Sequence, residues 1–256
     1  RTGTTTDQPQ AVQRWSPAGA PTAQLGVCSG LATVWATDVS TAWWARDVAA
    51  DGHDVYTVDP GLVERRPDDG FPAWTVMPAT LDVAGAAAAG EASRLAAADA
   101  DAGRVAVLDT GAGVVHVLSR DGGLSRRWTY HDDPGADAPG VPVDIALEGD
   151  TVFLADAGRG RVWVYALDGT PRGAWPVHDA PVALAAGPDG DVFVLGRRWG
   201  LRYDATGALG ALWRLPDVAA VGLDIDVGDD GRGFVPWVDA VPAPEPTDPP
   251  LRVLRR

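Results

Sequence analysis

Asp47, Asp144 and Asp224 each stand immediately before a Val or Ile that opens an alternating apolar stretch. Three carboxylates brought to one level would form an acidic collar. Such a collar suits Ca²⁺, which takes several oxygen ligands in irregular geometry. Asp226, two residues beyond Asp224, shares its strand face. The alternative for this set is structural, with each carboxylate accepting backbone N–H bonds from a neighbouring element. His131 and His178 lie in similar settings, Tyr130-His131-Asp132-Asp133 and Val177-His178-Asp179. Two imidazoles beside carboxylates are a ligand set for Zn²⁺ or an acid/base pair. No third histidine joins them at matching depth: His53 falls in a Gly-His-Asp turn and His116 in an alternating strand, each as an exposed or packing residue. Asp59, Asp109 and Asp156 recur at the ends of β-rich runs, where a short carboxylate accepts amides of the following turn. Gly196 takes that place in the next unit, which marks the position as structural. Cys28 has no local histidine partner, and neither a G-x-S-x-G nor a glycine-rich phosphate loop occurs. Trp43 and Trp44 beside Arg46 are a candidate anchor for a protein or sugar partner, with core packing as the alternative.

The elements that must position these residues are repeats. Val12 to Val27 aligns without a gap on Val162 to Val177, sharing the end valines, an aromatic (Trp15, Tyr165), a glycine (Gly19, Gly169) and a proline (Pro21, Pro171). A longer unit occurs at residues 44–76, 95–130, 143–177 and 182–216. Each has an alternating first strand, a turn, a β-rich second strand (VYTVD, VAVLD, VFLAD, VFVLG), a third strand, a turn glycine, and a fourth strand carrying Trp74, Trp128, Trp175 or Trp213. Four short strands repeating about every 40 to 50 residues are the signature of a propeller blade. Residues 11–27 supply half a blade and residues 219–256 a partial one, so pairing the N- and C-terminal strands would close the ring. The expected fold is all-β, a β-propeller of five four-stranded blades with six as the alternative, forming a single domain over 1–256. Only the Ala-rich segment Val83 to Leu95 has room for a short helix.

Composition narrows the partners. The chain has 256 residues, 21 bases and 35 acids, giving a net charge of −14. Every base is arginine, and 31 of the acids are Asp. A GC-rich gene explains the lack of Lys and Asn, but the acid excess needs another cause, such as a salt-adapted surface or a cation-binding face. The sequence shows no basic run, so nucleic acid and anionic membrane surfaces are excluded as partners. No apolar stretch reaches the roughly 20 residues that span a bilayer, and membrane insertion is not expected. One cysteine forbids an internal disulfide and is compatible with a soluble protein of either the cytoplasm or an extracellular assembly. Arg1 in place of Met suggests a chain processed or excised from a larger polypeptide.

Asp144-Ile145-Ala146, Val152 to Asp156, Arg161 to Tyr165 and Asp168-Gly169 follow the pattern of one family. The units at 143–177 and 182–216 resemble NHL-type propeller repeats, with the unit from Leu95 a weaker match. The resemblance implies a propeller fold and leaves function open, since such repeats serve interaction scaffolds, RNA-binding domains, sugar-lactone hydrolases, lyases with a metal in the central channel, and phage-tail-like assemblies. The leading expectation is a non-catalytic protein-interaction or scaffold module, within a phage-tail-like or cell-surface assembly and without a cofactor. The rival is a metal-dependent lyase or lactonase holding Ca²⁺ or Zn²⁺ in the central channel through Asp47, Asp144, Asp224, His131 and His178.

Overall fold

Period-two alternation broken every few residues by glycine turns makes short antiparallel strands the local solution. The computed structural model describes residues 12–15, 21–25, 47–51, 54–58, 63–66, 74–76, 95–101, 103–110, 113–130, 140–187, 189–214, 220–222, 224–227, 233–239 and 252–254, which contain strands and no helix. The Ala-rich segment considered for a helix lies almost wholly outside these residues.

An N-terminal hairpin pairs β1 (Val12–Trp15) with β2 (Pro21–Leu25). Four four-stranded antiparallel sheets follow, each in simple sequence order. The first contains β3 (Asp47–Asp51), β4 (Asp54–Val58), β5 (Val63–Arg66) and β6 (Trp74–Val76). The second contains β7 (Leu95–Asp101), β8 (Arg104–Asp109), β9 (Val114–Ser119) and β10 (Leu124–Thr129). The third contains β11 (Pro142–Glu148), β12 (Thr151–Asp156), β13 (Arg161–Ala166) and β14 (Pro171–Pro176). The fourth contains β15 (Pro181–Ala186), β16 (Val192–Gly196), β17 (Trp199–Tyr203) and β18 (Leu209–Arg214). In the last sheet β19 (Ala220–Gly222) and β20 (Asp226–Val227) both pair with β21 (Gly233–Asp239), which also pairs with β22 (Arg252–Leu254). In this partial blade the register slips by one residue between Gly222↔Trp237 and Asp226↔Phe234, so β19 and β20 are separate strands. Among the described residues β1 and β2 pair with each other and not with β22.

The first strands pack side by side in order, β3 on β7, β7 on β11, β11 on β15 and β15 on β20. This is the radial arrangement of a β-propeller, in which each sheet is a blade and its first strand is innermost. The blades bury both faces: β16 is buried throughout and β12 over all but its first residue. One core layer joins Leu108 and Val117 of the second blade to Ile145, Leu154 and Tyr165 of the third. The next joins Phe153 and Val162 to Leu184, Val194 and Tyr203. Each such side chain contributes roughly 1.5 to 3 kcal/mol on burial.

The tryptophans of the fourth strands complete these layers. Trp128 stacks on Tyr165 of the next blade, ring centroids 4.7 Å apart, and Trp175 meets Tyr203 at 5.9 Å. Both rings lie over turn glycines. A Cβ at Gly169 would come within 2.4 Å of Trp128 Cγ, and one at Gly207 within 2.7 Å of Trp175. Both glycines also have positive φ, +86° and +83°. Trp213 packs differently, against Phe193 and Gly200 of its own blade.

Gly169→Ala therefore combines backbone strain with a collision, and an expected loss of about 2 to 5 kcal/mol in urea unfolding. Gly149→Ala shares the positive φ, +55°, with nothing within 4 Å of the new methyl. Its loss is expected at about 1 to 2 kcal/mol. Equal losses at the two sites would show that the tryptophan contact contributes nothing.

Candidate functional site

The position of Asp144 follows from a bulge. Pro142 pairs with Asp156 and Asp144 with Ala155, so Val143 is an extra residue in β11. The same slip occurs in β7 between Leu95 and Ala97 and in β15 between Pro181 and Ala183. A bulge of this kind bends a strand and re-aims its side chains. Asp144, buried at 9% exposure, accepts the Ile145 N–H at 2.9 Å through Oδ1 and the Leu184 N–H at 2.7 Å through Oδ2. The second bond crosses to β15 of the next blade. The structural alternative weighed for this aspartate is the geometry found.

Burial raises the Asp144 carboxyl well above the ordinary range, and the charges of Asp47 and then Asp224 raise it further, against the two amide bonds. Asp224 accepts the Ile225 N–H at 2.8 Å, and Asp226 the Val227 N–H at 2.8 Å. Asp224 retains open surface, yet surrounding protein raises its carboxyl, with Asp226 adding to the effect against the Ile225 bond. Asp47 is half-buried at the start of β3.

Among the described residues no three His, Cys, Asp or Glu side chains are grouped closely enough to hold a metal ion. Asp144 has committed both oxygens to amides. His178 is exposed just beyond β14. His131, His53, Cys28, Asp59, Trp43, Trp44 and Arg46 lie outside the described residues.

The strand-end aspartates behave as the turn chemistry requires. Asp156 Oδ1 accepts the Val141 and Arg159 N–H groups at 2.9 and 3.1 Å, and Oδ2 accepts the Trp163 indole N–H at 3.2 Å. In the second blade the register puts His116 where the third has Trp163, since His116 pairs with Val107 and Trp163 with Leu154. His116 Nε2 lies 3.9 Å from Asp109 Oδ2, and both side chains are buried. The sequence left His116 between exposed and packing roles; it packs, because both faces of β9 are covered. Burial, with a smaller contribution from Arg127, lowers its pKa to about 4 despite Asp109. At Gly196 the missing carboxylate comes from elsewhere: Asp179, in the link from β14 to β15, would lie 2.7 Å from a Cβ there. Sequence signalled the gap in the series and not what fills it.

No protein-family model matches the chain. No curated protein matches it. Among solved structures it is similar to a protein of unknown function from Bacteroides caccae, at 12% identity and TM-score 0.58 over 87% of this chain and 83% of that one. A streptogramin B lyase matches at 15% identity and TM-score 0.55, over 78% of this chain and 70% of its own. A catalytically inactive histidine-to-alanine variant of virginiamycin B lyase from Staphylococcus aureus, solved with quinupristin, matches at 10% and 0.61, over 96% and 76%. At these identities the likeness extends to the β-propeller-type fold alone.

The buried histidine sets an acid limit. An unfolded histidine titrates near 6.5 and the folded one near 4. The folded state therefore resists a proton that the unfolded state accepts, and stability falls as pH drops from about 6.5 through 4. The raised Asp144 carboxyl acts oppositely, favouring the folded state as it takes up a proton. Urea unfolding should show His116→Gln losing less stability than the parent across this window, by up to about 3 kcal/mol. Parallel pH profiles would refute the assignment.

Proposed function

We propose that the chain is a non-catalytic interaction module, an NHL-like propeller that presents its loop face to a protein partner within a larger assembly, of phage-tail-like or cell-surface type. The observation that carries this reading is the engagement of Asp144. The residue best placed by sequence for chemistry uses both oxygens to tie the third blade to the fourth. Asp156 is likewise consumed by two amides and an indole. Both carboxylates thus serve the blade geometry. Among the described residues no helix is long and apolar enough to cross a membrane. The module should leave a lactone panel and quinupristin unchanged under conditions where a partner binds. Turnover above the uncatalysed rate would overturn it.

A second reading is favoured by fold likeness to two lyases and by the exposed imidazole of His178. In it, His178 and His131 with Asp47 and Asp224 bind a metal for lyase or lactonase chemistry. The reading requires stoichiometric metal after purification, detected by elemental analysis and lost in His178→Ala. Metal content unchanged by that substitution would remove it.

A further inference from the structure

Blades three and four sort their charge by strand end. At the end carrying the β11–β12, β13–β14, β15–β16 and β17–β18 turns, Asp150, Asp168, Asp189 and Asp204 are exposed. The arginines there are engaged, Arg172 with Thr151 and Arg202 with Asp191. The opposite end carries the β12–β13 and β16–β17 loops and the link from β14 to β15. Arg197 and Arg198 form the β16–β17 loop and Trp199 opens β17, all three exposed. Trp199 pairs in register with Arg214, whose guanidinium lies 6.0 Å from the indole centroid. On the neighbouring third blade Arg161, half-buried with its guanidinium 5.2 Å from the Trp163 ring centroid, pairs with Pro176, two residues before exposed His178. Asp179 then seats against Gly196, so this link joins the two loops. Among the described residues none of these four arginines has an ion-pair partner. Among the described residues of this end in these blades, Asp144 and Asp156 are buried and Asp179 caps the Ala180 N–H at 3.0 Å. The sequence shows no basic patch because its parts lie almost forty residues apart in the chain.

We infer that Arg197, Arg198 and Arg214 around Trp199, flanked by Arg161 of the neighbouring blade, form the docking surface for a short acidic peptide segment of a protein partner. This rests on the interaction-module reading and names its site and partner chemistry. Guanidinium forks match carboxylates two oxygens at a time, and an exposed Trp among arginines has the composition of an interface hot spot. The size of the patch selects the ligand class. Fields decay over about 8 Å at physiological salt, so a short acidic strand feels the arginines. A nucleic acid, with one charge per roughly 1.7 Å, or an anionic membrane would extend onto a molecule of net charge −14. An apolar side chain between the partner's carboxylates would rest on Trp199.

The test uses the full chain and a dye-labelled peptide alternating Glu and Leu, read by fluorescence anisotropy at low and high salt. Controls are a Gln-Leu peptide, a single-stranded oligonucleotide, and phosphatidylcholine vesicles containing phosphatidylserine. The expected result is saturable binding of the Glu peptide, at least roughly tenfold tighter than the Gln peptide and weakened by salt. Arg197→Glu with Arg198→Glu should weaken it by at least roughly tenfold, with an unchanged urea midpoint since both side chains are exposed, and Trp199→Ala by a similar factor. Absent binding, equal binding of the Gln peptide, tighter binding of oligonucleotide or vesicles, or indifference to charge reversal would overturn the proposal. Self-association in sedimentation that the double variant abolishes would assign the face to a second copy and overturn it too. Failure of the module reading is separately visible, as turnover that persists in the double variant.

Discussion

The inter-blade contact is the constraint from which the rest of the structure follows. A propeller blade is a single sheet and cannot bury either face by itself, so each must find a neighbour along its whole length. Near the axis the space narrows, and the innermost strands present small side chains there: Ala49, Ala146, Ala183 and Ala185 are buried. Farther out the gap widens and aromatic rings fill it, Trp128 against Tyr165 and Trp175 against Tyr203. The outer clasp works only because the next blade turns on Gly169 or Gly207, whose missing Cβ is the space the indole occupies. One glycine thus satisfies a left-handed turn and a close approach together, and any side chain there breaks both.

Asp144 belongs to the same constraint. Its bond to the Leu184 amide is a polar counterpart of the aromatic clasp, made at the inner radius where no ring fits. The cost is a buried carboxylate crowded by Asp47 and Asp224. Without the carboxylate, the buried Ile145 and Leu184 amides would be left unsatisfied, at about 1 to 3 kcal/mol each.

Much of this was legible in the chain because repeats reproduce backbone geometry. The ungapped match of Val12 to Val27 on Val162 to Val177 reappears as identical pairing: Val12 faces Leu25 as Val162 faces Trp175, and both hairpins slip just before the aromatic, Trp15 or Tyr165. The Asp156 turn was legible for the same reason. The bulge at Val143 was not, because an extra residue in an apolar run leaves no mark in the composition. Nor was the divided strand at β19 and β20, where one slipped residue looks like continued alternation. Asp179 beside Gly196 and the arginines around Trp199 depend on neighbours in space, which periodicity cannot report.

The aspartate excess has a local cause. Asp168 caps the Thr170 amide, Asp204 the Thr206 and Ala208 amides, and Asp121 the Gly123 amide, each in a turn between third and fourth strands. Only a short carboxylate reaches an amide two residues on, so the turns select Asp over Glu. Because these turns recur at the same end of the second, third and fourth blades, the repeat that builds the fold also stacks negative charge at that end. At the other end of the third and fourth blades Asp144 and Asp156 are buried, while Arg197, Arg198 and Arg214 are exposed. The field that a partner meets on these two blades therefore depends on which end it approaches.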